Sequence, residues 1–254
     1  MEPVYASVIT FARAVFALQG LRITVSGAEN VPATGGAVMA VNHTGYLDFA
    51  LAGEVARRSG RLVRFMAKEQ VFRHPVSGPL MRGMHHIPVD RDAGAASYRA
   101  AVQALRAGEI VGVFPEATIS RSFELKEFKS GAVRMAAAAG VPLLPTVIWG
   151  SQRIWTKDHP KRLGRTRTPV ILSVGAPIPV SRKDDQEVML RSLRKAMTEL
   201  LHAAQDAYPP LTGDDLKYLP ARLGGTAPTP ERAAEMDLAE SAARAAKRAG
   251  TGPN

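Results

Sequence analysis

The chain has 254 residues, enough for one large domain or one domain with appendages, and its 46% hydrophobic and 22% charged residues exclude disorder, collagen and coiled coil for its bulk. Cysteine is absent, which removes disulfide frameworks, thiol nucleophiles and thiolate metal sites together and fits a reducing compartment. Thirty-three Lys and Arg against 23 Asp and Glu give a formal charge of +10, so anionic partners are expected: phosphorylated small molecules, lipid headgroups or nucleic acid.

Residues 4–18 are apolar, but Glu2 precedes them and Arg13 interrupts them, with neither the basic leader nor the cleavage site of a signal peptide. The stretch is also short of the about 20 apolar residues that span a bilayer. Val4, Val8, Phe11, Val15 and Leu18 fall on one stripe, with Tyr5, Ile9 and Phe16 beside it, a helix apolar over most of its girth. Such a helix either docks on the core or dips into a membrane interface.

Strand-like runs follow at 21–25, 37–41, 62–66, 86–89, 110–114, 143–149 and 170–174, short and rich in Val and Ile. Helical patterns lie between them at 47–58, 95–107, 130–139 and 184–207, with Gly60, Gly108 and Gly140 as stops for the first three. The alternation predicts an α/β fold, a mixed and largely parallel sheet flanked by helices. From Tyr208 the texture changes to Pro209-Pro210, Leu219-Pro220, Gly224-Gly225 and Pro228, then an Ala/Glu/Arg-rich helix over 231–249. The expected organisation is therefore an N-terminal apolar helix (1–20), a catalytic-sized α/β domain (21–207) and a C-terminal arm with a surface helix (208–254).

In open α/β sheets the working residues sit past the carboxyl ends of strands. After the run at 37–41 comes Asn42-His43-Thr44-Gly45-Tyr46-Leu47-Asp48. On an α-helix His43 and Asp48 would lie about 140° apart, so they meet only across a turn, which Gly45 permits. A carboxylate on one imidazole nitrogen fixes the tautomer and leaves the other to take a proton from a hydroxyl; the alternative is a structural turn with Asp48 capping the next helix. Other strand ends deliver Lys68, Asp90-Arg91, and Pro115-Glu116-Ala117-Thr118-Ile119-Ser120-Arg121. Cations converging on a general base suit an alcohol acceptor that carries phosphate; the alternative is a solvated basic rim.

The ordered blocks Asn42 to Asp48, Gly83 through Ile87 to Arg91, Phe114 to Arg121, and Val141-Pro142-Leu143-Leu144-Pro145 resemble those of the glycerophospholipid acyltransferases, in particular the 1-acyl-sn-glycerol-3-phosphate acyltransferase branch. The resemblance covers roughly residues 25–180. It implies an α/β fold on the cytoplasmic face of the cell membrane, His43 and Asp48 as the catalytic pair, and a third block around Glu116 and Thr118 that helps bind glycerol phosphate. It further implies acyl-CoA or acyl carrier protein as donor, a lysophospholipid as acceptor, and phosphatidic acid as product of phospholipid biosynthesis; no metal or cofactor is expected. The family's third block usually reads Phe-Pro-Glu-Gly-Thr-Arg-Ser, whereas Ala117 and Ile119 stand here for its Gly and Arg. Arg121 is then the first candidate for the missing phosphate ligand, followed by Arg91, Lys68 and Lys129; another hydroxyl acceptor stays open within the same chemistry.

Competing motifs are weak. No Gly-x-Ser-x-Gly elbow, dinucleotide fingerprint or P-loop occurs. His85 and His86 adjoin on a strand-like run and would point to opposite faces. Glu124, Lys126 and Glu127 read as a solvated loop, and backbone N–H groups at the helix start after Gly45 as oxyanion donors. Between Arg153 and Lys183 eight basic residues face one acid, with Trp155 among them. Nucleic-acid binding would use such a patch, yet no recognition motif accompanies it and an anionic membrane surface fits it better. A catalytically inactive membrane- or nucleic-acid-binding homologue is the reading from another functional class.

Overall fold

A computed structural model describes residues 2–90 and 94–249. Seven strands, β1 (Arg22–Ser26), β2 (Ala37–Val41), β3 (Val63–Lys68), β4 (Ile87–Val89), β5 (Ile110–Val113), β6 (Leu143–Trp149) and β7 (Pro169–Val174), form one sheet in the order β1-β7-β6-β2-β5-β3-β4. All neighbours are parallel except β6 and β7. The helices are α1 (Pro3–Leu18), α2 (Asp48–Arg58), α3 (Glu69–Arg73), α4 (Ser77–Gly83), α5 (Gly94–Arg106), α6 (Gly131–Ala139), α7 (Gln186–Asp206) and α8 (Pro230–Ala249).

The parallel centre explains the sequence texture. Every residue of β2, β5 and β6 is buried, as expected for strands covered on both faces. Met39, Val41, Leu51, Val55, Ile110, Leu144, Ile148 and Leu172 share one core cluster, each such fully buried side chain contributing roughly 1.5–3 kcal/mol. The pairing of Ala40 with Val113 on one side and of Val41 with Thr146 on the other brings the segments after β2 and β5 out at the same edge of the sheet, beside the end of β6.

The residues form two compact units. The first contains the chain up to Ile119 together with Glu127–Pro209; the second joins Ser120–Lys126 to the chain from Pro210 onward. The second unit thus draws residues 120–126 out of the stretch expected as one domain (21–207). Arg121 pairs with Asp237 and Glu240, Lys126 with Asp237, and Arg222 with Glu124, so Glu124 and Lys126 belong to an ion-pair network rather than to a solvated loop.

Helix α1 belongs to the first unit. It buries Tyr5 and Phe16, and the Tyr5 hydroxyl donates to the Val63 carbonyl at 2.8 Å. Glu2, ahead of the helix, receives two hydrogen bonds from buried Arg64 on β3, which holds its carboxyl below the ordinary range. The stripe expected to be the main apolar face instead turns partly outward: Phe11 is 71% and Leu18 76% exposed. Helices α3 and α4 occupy a stretch without a sequence-level helix signal; five and seven residues are too few for a periodic pattern. The turn after α4 also holds His85, in a left-handed conformation at φ 54°, and His86. They precede β4 instead of lying on it, His86 buried and His85 outside.

Candidate active site

Directly after β2, Asn42 fastens the strand end to β6: its side chain donates to the Ile148 carbonyl at 3.0 Å and accepts from the Ile148 N–H at 2.7 Å. The chain then turns, and Asp48 opens α2 fully buried. Its Oδ2 accepts the Thr44 and Gly45 N–H groups, each at 2.8 Å, and lies 3.0 Å from His43 Nδ1. The turn thus brings together two residues that a continuous helix would separate. Asp48 does not cap α2, whose N-cap position is Leu47; it closes the loop by receiving the Thr44 and Gly45 N–H groups and the imidazole on the same oxygen.

His43 is pinned from three sides. Its backbone N–H donates to Glu116 Oε1 at 2.8 Å, its Nδ1 faces Asp48, and its ring stacks on Phe114 with centroids 4.2 Å apart. About a fifth of the side chain stays accessible. With Nδ1 engaged by the carboxylate, Nε2 is the nitrogen left to take a proton from an approaching hydroxyl. A buried carboxylate with several charge-assisted bonds holds this orientation without rearranging during the reaction.

The other sequence-selected residues fall in different places. Glu116 is buried at the end of β5 and serves the His43 backbone. Thr118 follows in a tight turn, its N–H on the Glu116 carbonyl. Lys68 ends β3, next to β5 in the sheet, and is exposed. Lys129 is exposed before α6, with its N–H on the Pro115 carbonyl. Arg91 lies outside the described residues. Arg121 lies in the second unit, where Asp237 and Glu240 hold its guanidinium, so a phosphate there would have to displace two carboxylates. The third block's departures are both accommodated: Ala117 adopts φ 62°, a conformation natural to Gly, and Ile119 is buried. Of the N–H groups expected as oxyanion donors, Tyr46 donates to the Trp155 carbonyl and Asp48 to Gly45.

Two neighbours were not singled out. Ser151, just after β6, donates to Asp48 Oδ1 at 2.5 Å, and Thr156 donates to the Thr44 carbonyl at 2.6 Å. Ser151 stands past a strand end, as His43 and Glu116 do.

The Acyltransferase family model matches residues 22–149. The chain belongs to the acyltransferase family. Among its relatives, a 1-acyl-sn-glycerol-3-phosphate acyltransferase of Bacillus subtilis is 34% identical over 142 residues, 54% of this chain and 67% of that one. One of Borreliella burgdorferi is 27% identical, covering 56% of each. An uncharacterized protein of Mycobacterium leprae is 32% identical over 53% of this chain and 38% of its own length. The crystal structure of the 1-acyl-sn-glycerophosphate (LPA) acyltransferase from Thermotoga maritima superposes with a TM-score of 0.68 at 22% identity, covering 81% of both chains. The acyltransferase fold is shared; the family match contains the His43 loop and stops before Ser151.

Proposed function

We propose that this acyltransferase moves a fatty acyl group from a thioester of CoA or acyl carrier protein to the free hydroxyl of a lysophospholipid, with 1-acyl-glycerol-3-phosphate the leading acceptor and phosphatidic acid the product. The observation that carries the reading is His43 held at Nδ1 by buried Asp48, in a family whose similar members are named for that reaction. His43 Nε2 takes the hydroxyl proton as the acceptor oxygen attacks the thioester carbonyl. The tetrahedral adduct then collapses, the C–S bond breaks, and the thiolate takes the proton back from His43. A positioned base of this kind contributes about 10²–10⁴-fold.

An apolar groove between α1 and α2 supports a lipid substrate. It is a shallow groove lined by Ile9, Phe16, Phe49 and Phe65, with Arg13 and Glu54 also on its wall. Its wall is uncharged at neutral pH where His86 stands, because burial and then nearby Arg64 hold that imidazole down to about 4. Phe65 also stacks on Phe114, the ring beneath His43, so apolar contacts run from the groove to the base.

Peripheral attachment to the cytoplasmic face of the cell membrane completes the proposal. No helix among the described residues is long and apolar enough to cross a bilayer. Phe11 and Leu18 of α1 and Phe49 of α2 are exposed, Lys161 lies 4.4 Å over the Trp155 ring, and the basic 153–183 stretch offers headgroup contacts at about 1 kcal/mol per cation. A second reading, another hydroxyl acceptor, is favoured by buried Ile119 and by the carboxylates on Arg121.

The test is purified protein offered a panel of lysophospholipids with acyl-CoA and acyl carrier protein donors, products resolved by mass. The proposal expects acylated lysophosphatidate as the main product. Transfer to a different lyso-lipid alone selects the second reading, and no transfer to any hydroxyl overturns both.

A further inference from the structure

We infer that Ser151 is a positioning residue of the reaction, acting on His43 through Asp48; this rests on the acyl-transfer reading above. The two oxygens of Asp48 are divided. Oδ2 faces His43 Nδ1 and takes the Thr44 and Gly45 N–H groups, all from its own loop. Oδ1 is met by the Ser151 hydroxyl at 2.5 Å, from 103 residues further along the chain. Neither side chain has any solvent access, so water cannot replace the hydroxyl without a rearrangement.

The surrounding backbone is shaped to bring that hydroxyl in. A Cβ on Gly45 would stand 3.0 Å from Ser151 Oγ and 3.1 Å from its carbonyl carbon and oxygen, so glycine allows the two loops to touch. Gly150, at φ 106°, would drive a Cβ to 2.2 Å from the Pro169 carbonyl oxygen, so the turn that delivers Ser151 also depends on glycine. Thr44 Oγ1 lies 3.3 Å from Ser151 Oγ, and Ile154 and Trp155 both donate their N–H groups to the Ser151 carbonyl. The serine is therefore fixed at both its side chain and its backbone.

The consequence is orientational. A carboxylate held only on Oδ2 can rock about its Cβ–Cγ bond, and the line from Oδ2 to Nδ1 rocks with it. With Oδ1 fastened from the turn after β6 the carboxylate plane is set, and the imidazole keeps one tautomer with Nε2 facing the open side. Ser151 has no exposed surface to offer a substrate, so its removal acts on kcat and spares KM.

The experiment pairs kinetics with NMR of the full-length protein labelled with ¹⁵N in histidine, the His43 resonances being assigned by their loss in His43→Ala. Ser151→Ala is expected to lower kcat about 10- to 100-fold, the range typical of lost partners one shell behind a reacting group, with acceptor and donor KM within twofold. The His43 ring nitrogens shift toward a mixture of tautomers. Ser151→Cys, with a weaker donor at the same place, falls between Ala and Ser, and it carries the test where Ser151→Ala does not fold. In an Asp48→Asn background Ser151→Ala costs less than twofold, because the group it acts through is gone. Unchanged kcat and unchanged ring shifts overturn the assignment, as does an equal loss with Asp48 replaced, or a loss confined to KM. The ring shifts are read without turnover, so a wild-type protein that transfers no acyl group but shows the Ser151-dependent shift defeats the functional reading and leaves the positioning intact.

Discussion

The loops after β2 and β5 leave neighbouring strands at the same sheet edge, yet they are stabilised in opposite ways. The β2 loop gathers its own donors on one oxygen: Asp48 Oδ2 receives two N–H groups and an imidazole from residues within five positions. The β5 loop divides. Glu116 serves the His43 backbone, whereas Arg121 and Lys126 pair with carboxylates of α8 more than a hundred positions away. Proton-transfer geometry is thus laid down within one turn and then fastened by Glu116 and Ser151 from beyond β5 and β6, while the charge that the sequence offers for binding is drawn into a separate structural unit. A short motif is a firm guide to the first kind of site and a poor one to the second.

The sharpest way to break this comparison is at the carboxylate. Asp48→Asn retains the side chain's size but presents an amide where Oδ2 accepts three donors, so the imidazole loses its orientation. We expect kcat to fall about 10³–10⁴-fold, in keeping with the loss of the corresponding carboxylate in other His-based sites, with KM nearly unchanged. A fall in affinity at constant kcat would mean that Asp48 shapes the binding pocket instead.

Much of this contrast follows from how far apart in sequence the partners lie. The bounds of β2 and β6 coincide with the apolar runs at 37–41 and 143–149, because strands buried on both faces are written as near-continuous apolar runs. The pairing of His43 with Asp48 was readable because both belong to one turn. Ser151 was not, since nothing in its neighbourhood records a contact 103 residues back. The fate of Arg121 was equally hidden: its partners Asp237 and Glu240 sit on an Ala-rich helix that reads as a surface arm. The direction in which α1 turns its apolar residues depended on Tyr5 finding the Val63 carbonyl, which periodicity alone does not show on a helix apolar all round.

The cations separate the two modes further. Lys68→Ala removes an exposed charge at the end of β3, and acceptor KM is expected to rise about 10-fold, the loss of one charge-assisted bond, with the thermal midpoint unchanged. Arg121→Ala should behave the other way. Acceptor KM stays within twofold, while the second unit loses about 1–3 kcal/mol of stability as Asp237 and Glu240 lose the Arg121 guanidinium between them, a discount on the cost of a fully buried pair because both acids are partly exposed and keep Lys126 and Arg244 as partners. Denaturant melts beside steady-state kinetics check both variants, and a reversed pattern would return Arg121 to the acceptor site.

The smallest expected effect lies at Ala117. Glycine there relieves a left-handed conformation that costs an L-residue roughly 1–2 kcal/mol, offset in part by the greater freedom of the unfolded glycine chain. Ala117→Gly should therefore stabilise the protein by about 0.5 kcal/mol with unchanged kcat, read from urea melts. A destabilised variant would show that the Ala117 methyl packs usefully in the folded loop.

The central claim is that His43 is the base of an acyl transfer, and the most direct measurement of it is single-turnover acylation of lysophosphatidate by wild type and by His43→Ala, with circular dichroism establishing that the variant is folded. The account predicts a folded variant slower by at least about 10²-fold that still binds both substrates. A folded His43→Ala protein transferring acyl groups at the wild-type rate would contradict it.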